Sequence, residues 1–544
     1  MNLNKIVGIW SGHDCSFCVL SDGIVEMHTE LERHLRVKEP PGDSIKLFYD
    51  HCGDTKDVIG FATCHLDKGI KAHAESWEKI SKLNVPLYTV GHHQAHASNA
   101  FFSSNFDEAL ILTIDGGGIE DEHGYCVGAS VWYGKGNKIE LVKYYPLEEV
   151  NIGGVWSRVT RHVFKYESGW PFGNQAGTTM ALAALAKNDK FVERFERMFG
   201  SELSLAVARA PGHVAGMSAK DPANQRHPYL GDLADIASVD EQAKYDMAGA
   251  LQFVTEIKIK QLLHEAMQLV PNVKNVCFSG GVALNSVAMG KLVLCHPEHK
   301  FYIPPVPYDA GLTIGAAQYA WHHILDNPRI KWDDIATPYL GPRYSIDDVD
   351  ATIEEYSNKG LVESQCVDDD DVVDLLIKGK IVSVFHDRAE SGRRALGNRS
   401  IIADPRSHSM KDYVNDKVKH RQWFRPFAPS VLREHVKDWF TADVDSPYMG
   451  FVLKFNEDKK HLVPAVVHFD GTARLQTVTE KSNKWYYGLI TRFYDKTGVP
   501  ILLNTSFNDR EPIVETPKHA IECFLGTDID FLYFADYGWL VKKT

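Results

Sequence analysis

The order of apolar and polar positions predicts two similar blocks in the first third of the chain. The first block has a strand at 5–10, a second strand, an Asp22-Gly23 turn and a third strand. Asp-Gly between apolar runs is typical of a β-hairpin. The second block has a buried strand at 109–114, a glycine-rich loop at 115–118 and a hairpin over 129–145. These two units, each opened by a polar loop, indicate an internally duplicated fold with a cleft between its halves.

A second glycine turn follows a helical region. The pattern predicts helices at 181–197 and 243–269, then a strand at 273–278, a tight turn at 279–281 and a helix from Ala283 onward. A strand–glycine–helix order presents backbone N–H groups and a helix N-terminus to an anion. With the earlier glycine-rich loop, this predicts two phosphate-binding loops that face one cleft.

A linker at 337–343 contains two prolines and a glycine, which interrupt regular structure. We therefore place a domain boundary near residue 340, with one domain at 1–340 and a second at 341–544. In the second domain the pattern predicts a helix at 372–378, a strand at 381–385 and further strands near Phe451, Ile501 and Phe531. The chain is therefore of the α/β class.

Composition narrows the functional classes. At 544 residues the chain is too long to fold around a single hydrophobic core, so we expect more than one domain. No apolar run reaches the roughly 20 residues that span a bilayer, and the N-terminus lacks a signal-peptide pattern, so we expect a cytoplasmic protein without a membrane partner. Nine scattered cysteines argue against a disulfide framework. The net charge of −13 disfavours a surface that binds nucleic acid throughout, and the oligomeric state stays open.

A histidine cluster is the first candidate site. His92 and His96 share one face of a helix and could bind one metal ion. Asp115 and Asp309 could complete a mixed site suited to Fe(II), Mn(II) or Zn(II). His13 lies in the first predicted turn, where its pKa range suits a general base acting on a hydroxyl. A structural role for His13 is equally compatible with its position.

The second candidate site is a run of anion donors in the second domain. From Arg393 to Arg425 there are nine Lys or Arg residues and three Asp residues. Guanidinium groups beside the Gly-containing segment 391–399 suit bidentate contact with phosphate. The segments 470–474 and 504–508 add further donors. Many anion donors without an acid–base pair indicate phosphoryl or nucleotidyl chemistry rather than hydrolysis.

In their order and spacing these motifs resemble the O-carbamoyltransferase family of antibiotic and nodulation-factor biosynthesis over nearly the whole chain. The matching segments are Gly12–Asp14, His92–Ala97, Asp115–Gly117, Ser279–Asn285, Asp309–Gly311, Arg394–Ser400, Arg425–Pro429, Asp470–Gln476 and Asn504–Asn508. The resemblance implies a duplicated, Kae1-like domain of the actin-like ATPase fold, followed by an α+β, YrdC-like domain.

The resemblance also implies a two-step reaction. The YrdC-like domain would convert carbamoyl phosphate and ATP, with Mg²⁺ as a further candidate cofactor, into carbamoyladenylate and pyrophosphate. The residues that would bind these substrates are Arg394, Lys419, Arg421, Arg474, Ser506 and Asn508. The Kae1-like domain would then transfer the carbamoyl group to an acceptor hydroxyl.

For the transfer site the resemblance implies iron, with His92, His96, Asp115 and Asp309 at the ligand positions. The metal would hold the phosphate of the adenylate, and His13 would take the proton of the acceptor. The resemblance also assigns nucleotide and phosphate contacts to Gly116, Gly117, Gly280, Gly281 and Asn285. One segment departs from the family pattern. Relatives commonly read Gly-Lys-x-Met-Gly-Leu-Ala where this chain has 177–183, without the lysine and the second glycine.

The acceptor stays open at this stage. We expect a hydroxyl of a small natural product, and the alternative is the hydroxymethyl group of a modified pyrimidine (5-hydroxymethylcytosine) in phage-type DNA. Trp156, Trp170 and Phe172 could stack on a flipped base, or could line a pocket or the core instead. A third hypothesis, from another class, is an actin-like nucleotide-binding switch without transfer activity.

Overall fold

The computed structural model describes residues 4–65, 68–168, 175–199, 227–331 and 338–544. The chain divides into two compact units. The N-terminal unit comprises Met1–Ala288 and Leu292–Ala336, and the C-terminal unit comprises Met289–Lys291 and Thr337–Thr544. Within the described ranges, no helix combines the length and apolar character needed to cross a membrane.

The first sheet of the N-terminal unit has the order β3-β2-β1-β4-β5. Its strands are β1 (Lys5–Trp10), β2 (Ser16–Ser21), β3 (Ile24–Glu30), β4 (Val58–Cys64) and β5 (Leu87–Val90). The first three form an antiparallel meander, and β4 and β5 run parallel to β1. Asp22 and Gly23 have φ of 47° and 89°. Two left-handed residues match the twist of the flanking strands, which confirms the predicted hairpin.

The second sheet repeats this topology. Its order is β8-β7-β6-β9-β10, with β6, β7 and β8 antiparallel and β9 and β10 parallel to β6. Its strands are β6 (Glu108–Ile119), β7 (Cys126–Lys135), β8 (Lys138–Pro146), β9 (Asn275–Ser279) and β10 (Lys300–Tyr302). The repeat confirms the predicted duplicated α/β fold of the actin-like ATPase type.

Helices cover the two sheets of the N-terminal unit. They are α1 (Leu31–Leu35), α2 (Ser44–His51), α3 (Lys68–Ala72), α4 (Ala74–Ser81), α5 (His92–Phe102), α6 (Ile152–His162), α7 (Ala176–Ala183), α8 (Val192–Met198), α9 (Gly231–Val239), α10 (Glu241–Leu269), α11 (Ser286–Cys295) and α12 (Leu312–Gln318).

Three local predictions were wrong. The helix predicted at 181–197 is two helices, because the Asp246 carboxylate accepts the N–H groups of Lys187 (2.8 Å) and Asn188 (3.3 Å) and holds the chain out of helical geometry. The segment predicted as a loop at 115–118 is an irregular part of β6. The helix predicted from Ala283 begins at Ser286 instead, after one 3₁₀ turn.

The C-terminal unit is built on one nine-stranded mixed sheet of order β11-β19-β18-β12-β13-β17-β14-β16-β15. The strands are β11 (Val362–Cys366), β12 (Val382–Phe385), β13 (Arg399–Ala403), β14 (Ala428–Leu432), β15 (Phe451–Lys454), β16 (Thr472–Val478), β17 (Ile501–Ser506), β18 (Phe531–Phe534) and β19 (Trp539–Lys543). The helices are α13 (Ile346–Asn358), α14 (Asp369–Ile377), α15 (His408–Tyr413), α16 (Val436–Trp439), α17 (Lys484–Thr497) and α18 (Pro517–Leu525).

Helix α17 shows how this sheet is covered. Tyr486, Leu489, Ile490 and Phe493 recur at three- and four-residue spacing and are fully buried. This stripe is the apolar face expected of a helix that packs on a sheet. The predicted helix at 372–378 and the strands at 381–385 and near Phe451, Ile501 and Phe531 are confirmed.

Candidate active site

Helix α5 carries the two candidate metal-binding histidines, and a buried carboxylate fixes its first turn. Glu120 Oε1 accepts the backbone N–H of His93 (2.5 Å), and Glu120 Oε2 accepts the hydroxyl of Tyr144 (3.0 Å). A carboxylate at a helix N-terminus is favourable because the helix dipole is positive there. Position 91 must be glycine, since a Cβ would lie 2.2 Å from Glu120 Oε2.

The structure brings the four predicted ligands together in one buried group, which we call the His/Asp cluster: His92, His96, Asp115 and Asp309. The candidate ligand atoms lie within 4.8 Å of one another. His92 Nε2 is 3.0 Å from Asp115 Oδ2 and 3.5 Å from Asp309 Oδ1. His96 Nε2 is 3.2 Å from His92 Nε2 and 3.5 Å from Asp309 Oδ1. Three chain segments, namely α5, β6 and the turn that begins at Asp309, therefore converge on one point.

The two imidazoles of the His/Asp cluster keep its two carboxylates ionised, and Asp309 and Asp115 in turn raise the pKa values of His92 and His96 against desolvation. Desolvation alone would raise the pKa of Asp115, but hydrogen bonds from His92 and His96 hold this pKa well below its usual range. The pKa of Asp309 is likewise lowered, against desolvation, chiefly by the charge of His92. Two buried ionised carboxylates need positive charge beside them. Two imidazoles and two carboxylates also form a donor set that fits a divalent transition metal.

The neighbouring His93 has a different role. Its Nε2 lies 2.9 Å from the carbonyl of Val127 and its Nδ1 lies 2.6 Å from Thr113 Oγ1. Desolvation lowers its pKa to about 3, so the ring is neutral at neutral pH. Both ring nitrogens are occupied inside the protein, and His93 therefore holds α5 against β6 and β7.

The glycines near β6 allow close approach to the cluster. A Cβ at Gly118 would lie 2.2 Å from His92 Cδ2, and Gly117 has a left-handed φ of 123°. Gly281 donates its N–H to Asp115 Oδ1 at 2.9 Å. Asp115 therefore contacts the histidines through one carboxylate oxygen and the glycine turn after β9 through the other.

Two other glycines of this region shape the backbone. Gly280 has φ 88°, and a Cβ there would lie 2.2 Å from the carbonyl oxygen of Ile114. Gly116 faces the first turn of α6, where the N–H of Gly154 would lie 3.7 Å from an added Cβ. The predicted phosphate-binding glycines thus surround the Asp115 side of the cluster.

Asn285, predicted as a nucleotide contact, caps a helix. Its Oδ1 accepts the N–H of Ala288 at the start of α11 (3.1 Å). Its amide also pairs reciprocally with that of Gln252, at 3.0 and 3.1 Å. Both the oxygen and the nitrogen of the Asn285 side-chain amide are therefore hydrogen-bonded within the protein.

His13, the predicted base, lies on the loop between β1 and β2. Its Nε2 is 3.2 Å from Asp309 Oδ2, and its Nδ1 is 3.1 Å from Asp14 Oδ2. Desolvation lowers the pKa of His13, but the carboxylates of Asp309 and Asp14 outweigh it and raise this pKa to about 10. The side chain is 64% exposed. His13 thus touches the His/Asp cluster and still reaches solvent.

In the C-terminal unit, Lys419 ties two predicted motifs together. Its buried Nζ donates to the Asn508 side-chain oxygen (2.6 Å), the Asn508 carbonyl (2.6 Å) and the Ser506 carbonyl (2.9 Å). Ser506 Oγ donates to Asn508 Oδ1 at 2.7 Å. The three predicted residues therefore form one connected group at the end of β17.

Four arginines gather near this group, and we call them the arginine cluster: Arg394, Arg421, Arg425 and Arg474. Burial lowers the pKa of Arg421, and the charges of Arg425 and Arg474 lower it further. Burial and the charges of Arg394 and Arg425 do the same to the pKa of Arg474. Among the described residues, the buried Nε of Arg474 has no hydrogen-bond partner. Clustered guanidinium groups of this kind fit a polyanion.

Arg399 does not belong to this cluster, although it lies in the arginine-containing segment predicted to contact phosphate. Its side chain is fully buried and donates to the carbonyls of His386 (2.7 Å), Asn398 (3.0 Å) and Asp387 (3.1 Å). Its guanidinium also lies 3.5 Å from the ring centre of Phe385. The prediction of phosphate contact was wrong for this residue, because backbone carbonyls accept from both of its terminal guanidinium nitrogens.

Sequence reasoning missed His468 beside the arginine cluster, and it counted Lys411 only as one of the nine basic residues between Arg393 and Arg425. Desolvation lowers the pKa of His468 to about 4, although Asp470 opposes this, and the charges of Arg474 and Lys411 lower it further. Burial lowers the pKa of Lys411, and the charge of Arg421 lowers it further, although Asp412 opposes this. Neither residue lies in a motif, and the three-dimensional proximity of charges is what reveals them.

The segment that departs from the family pattern is well anchored. Thr178 and Thr179 are fully buried in α7. Thr178 donates to Gln175 Oε1 and Thr179 to Thr160 Oγ1, both at 3.1 Å. Trp170 and Phe172 lie outside the described residues, and Trp156 is buried in α6.

Comparison with known proteins identifies the class first. The family model for the N-terminus of carbamoyltransferases matches residues 63–318, and that for their C-terminus matches residues 373–543. The protein is therefore a carbamoyl-transferring enzyme.

Individual known proteins are also similar to this chain. The chain is 34% identical over 505 residues to an uncharacterised protein of Synechocystis sp., covering 86% of this chain and 78% of the relative. It is 32% identical over 463 residues to nodulation protein NolO of Bradyrhizobium diazoefficiens, covering 84% and 79%. Full-length HypF in its phosphate- and nucleotide-bound form aligns with a TM-score of 0.36 at 15% identity, over 59% of this chain and 56% of HypF. The chain belongs to the carbamoyltransferase family, which confirms the resemblance.

Proposed function

We propose that the protein is an ATP-dependent O-carbamoyltransferase that works in two steps, one in each unit. The C-terminal unit converts carbamoyl phosphate and ATP into carbamoyladenylate. The N-terminal unit transfers the carbamoyl group to an acceptor hydroxyl. The observation that carries this proposal is the arginine cluster beside the Lys419 group, since two polyanionic substrates need this much positive charge.

In the activation step, one water molecule hydrolyses carbamoyl phosphate to carbamate and inorganic phosphate. The carbamate oxygen then attacks the α-phosphorus of ATP, the bond to the β-phosphate breaks, and pyrophosphate leaves. The roles proposed here are phosphate binding for Arg394, Arg421 and Arg474, and positioning of carbamoyl phosphate by the group of Lys419, Ser506 and Asn508. Fixed guanidinium groups stabilise the charge that develops on the phosphates at no reorganisation cost.

In the transfer step, the acceptor oxygen attacks the carbamoyl carbon, and AMP leaves as the C–O bond to its phosphate breaks. In this proposal a ring nitrogen of His13 takes the hydroxyl proton after His13 has released its own proton to solvent, because Asp309 and Asp14 raise its pKa to about 10 and its side chain is exposed. His92, His96, Asp115 and Asp309 would hold a divalent metal, for which we propose Fe(II). When bound, such an ion supplies positive charge for the adenylate phosphate.

The proposed acceptor is a hydroxyl of a small natural product. Similarity to nodulation proteins supports a small acceptor. The net charge of −13 weakens the alternative, 5-hydroxymethylcytosine in DNA, because phosphate backbones require neutralising basic residues. The expected location is the cytoplasm.

The test combines two assays. Incubation with ATP and carbamoyl phosphate should release pyrophosphate, and release should depend on both substrates. Formation of ADP instead, or no reaction, would reject the activation step. Mass spectrometry should then find a carbamoyl adduct on a small hydroxylated metabolite, whereas an adduct on hydroxymethylated DNA would favour the alternative acceptor.

A further inference from the structure

Two large aromatic side chains in the C-terminal unit are exposed and contact each other. Trp423 is 54% exposed and Phe469 is 50% exposed. Their ring centres are 5.4 Å apart, and the rings lie nearly at right angles, at 82°. Single exposed apolar residues are common on protein surfaces. An exposed indole and phenyl ring in mutual contact instead present aromatic faces for a ligand ring.

The loop that carries Trp423 also carries two members of the arginine cluster. Trp423 is two residues from Arg421 and two residues from Arg425. One buried amide organises this loop: Asn415 Nδ2 donates to the carbonyls of Trp423 (3.3 Å) and Arg425 (2.9 Å), and Asn415 Oδ1 accepts from Arg421 Nε (2.8 Å). Asn415 therefore fixes the backbone at Trp423 and Arg425 and the guanidinium group of Arg421.

Phe469 is tied to the cationic region from the other side. It follows His468, which responds to the charge of Arg474, and it precedes the turn that leads to Arg474 in β16. Lys411 Nζ lies 4.1 Å from the centre of the phenyl ring. Both aromatic residues thus lie on the loops that supply the arginine cluster.

We propose that Trp423 and Phe469 form the subsite for the purine base of ATP, with the base stacked on the face of one ring and in edge contact with the other, while the arginine cluster takes the phosphates. The inference rests on the proposed function, because it assigns one part of the nucleotide that this function requires. Base stacking on aromatic rings contributes about 10- to 100-fold in affinity and tolerates any base. The subsite therefore sets nucleotide affinity and leaves the reacting phosphates to other residues.

The first test distinguishes binding of the purine base from binding of the phosphates. In Trp423→Ala and Phe469→Ala, the KM for ATP in pyrophosphate release should rise about 10-fold or more, while kcat and the KM for carbamoyl phosphate stay near wild-type values. Trp423→Phe should restore most of the affinity, because it keeps an aromatic face. The matched control is Phe253→Ala in the N-terminal unit, where an equally exposed phenyl group is removed.

A direct binding measurement gives a result that does not depend on enzymatic activity. By calorimetry, Trp423→Ala should weaken binding of ATP but leave binding of inorganic tripolyphosphate unchanged. Equal weakening of both ligands, or no change in either, would overturn the subsite. If wild-type protein releases no pyrophosphate, the proposed function fails, and the calorimetric comparison still decides whether a base binds at Trp423.

Discussion

The two candidate sites of this protein have opposite electrostatic character. The His/Asp cluster of the N-terminal unit buries two ionised carboxylates, whereas the arginine cluster of the C-terminal unit crowds guanidinium groups together. The arginine cluster holds like charges close together in a desolvated place, whereas the His/Asp cluster desolvates two carboxylates beside histidines whose pKa values they raise; both arrangements cost folding free energy. The difference teaches that one site is arranged for a cation and the other for polyanions. The proposed division of carbamoyl activation from carbamoyl transfer needs both kinds of site.

The largest expected effect comes from removing one carboxylate of the His/Asp cluster. In Asp309→Asn, bound metal should be lost and carbamoyl transfer to the acceptor should fall about 1,000-fold or more, since a metal supplies several kcal/mol of charge stabilisation. Elemental analysis and the transfer rate measure the two effects. The control is Asp107→Asn, which alters an exposed carboxylate. Wild-type transfer in Asp309→Asn would show that the cluster is not the transfer site.

The second effect tests the arginine cluster. Arg474→Ala should lower kcat/KM for pyrophosphate release about 10- to 100-fold, because charge-assisted hydrogen bonds to phosphate contribute about 1.5–3 kcal/mol. The metal content should stay unchanged. The melting temperature of the ligand-free protein should stay level or rise, because repulsion from Arg394 and Arg425 is removed.

Arg492→Ala is the matched control, since that side chain is partly exposed and pairs with Asp369 and Asp370. A marked loss of stability in Arg474→Ala, with unchanged kinetics, would assign Arg474 a structural role.

These contrasts show what the sequence could predict. Local signals sufficed for the Asp22-Gly23 hairpin, with both residues at positive φ, and for the helical spacing of His92 and His96. They gave no role to His93, because the hydrogen bonds of His93 come from strands distant in sequence.

The C-terminal unit shows the same limit. Arg399 lies in an arginine-containing segment but is buried among backbone carbonyls, whereas His468 lies in no motif and is still close enough to Arg474 for the charge of Arg474 to lower its pKa. Tertiary packing decides which charged residue stays free for a ligand, and a linear pattern carries little of that information.

A third and smaller effect is a pH dependence of stability in the cationic region. The pKa of His468 is about 4 in the folded protein and near 6.5 when unfolded. The unfolded chain therefore binds the proton first, so the stabilisation is complete above pH 6.5 and is lost as the pH falls toward 4. Each pH unit in this window should cost at most about 1.4 kcal/mol. Denaturant titrations at pH 7, 5.5 and 4.5 should show that the free energy of unfolding depends less on pH in His468→Gln than in the wild-type protein. The same pH dependence in both proteins would contradict the lowered pKa of His468.

The smallest effect concerns Asn285. Loss of its cap on α11 in Asn285→Ala should lower the free energy of unfolding by about 1 kcal/mol. Asn285→Ser should recover most of that stability, because serine caps helices well. If instead stability is unchanged and transfer collapses in both variants, then the Asn285 amide contacts nucleotide, as the sequence comparison predicted.

The division of labour between the two units can be tested in one experiment. Wild-type protein, Asp309→Asn and Arg474→Ala are each mixed with ATP and carbamoyl phosphate without acceptor, and pyrophosphate is followed over a single turnover. The account predicts release by wild-type protein and Asp309→Asn at similar rates, and strongly reduced release by Arg474→Ala. Loss of release in Asp309→Asn with retention in Arg474→Ala would contradict the assignment of activation to the C-terminal unit.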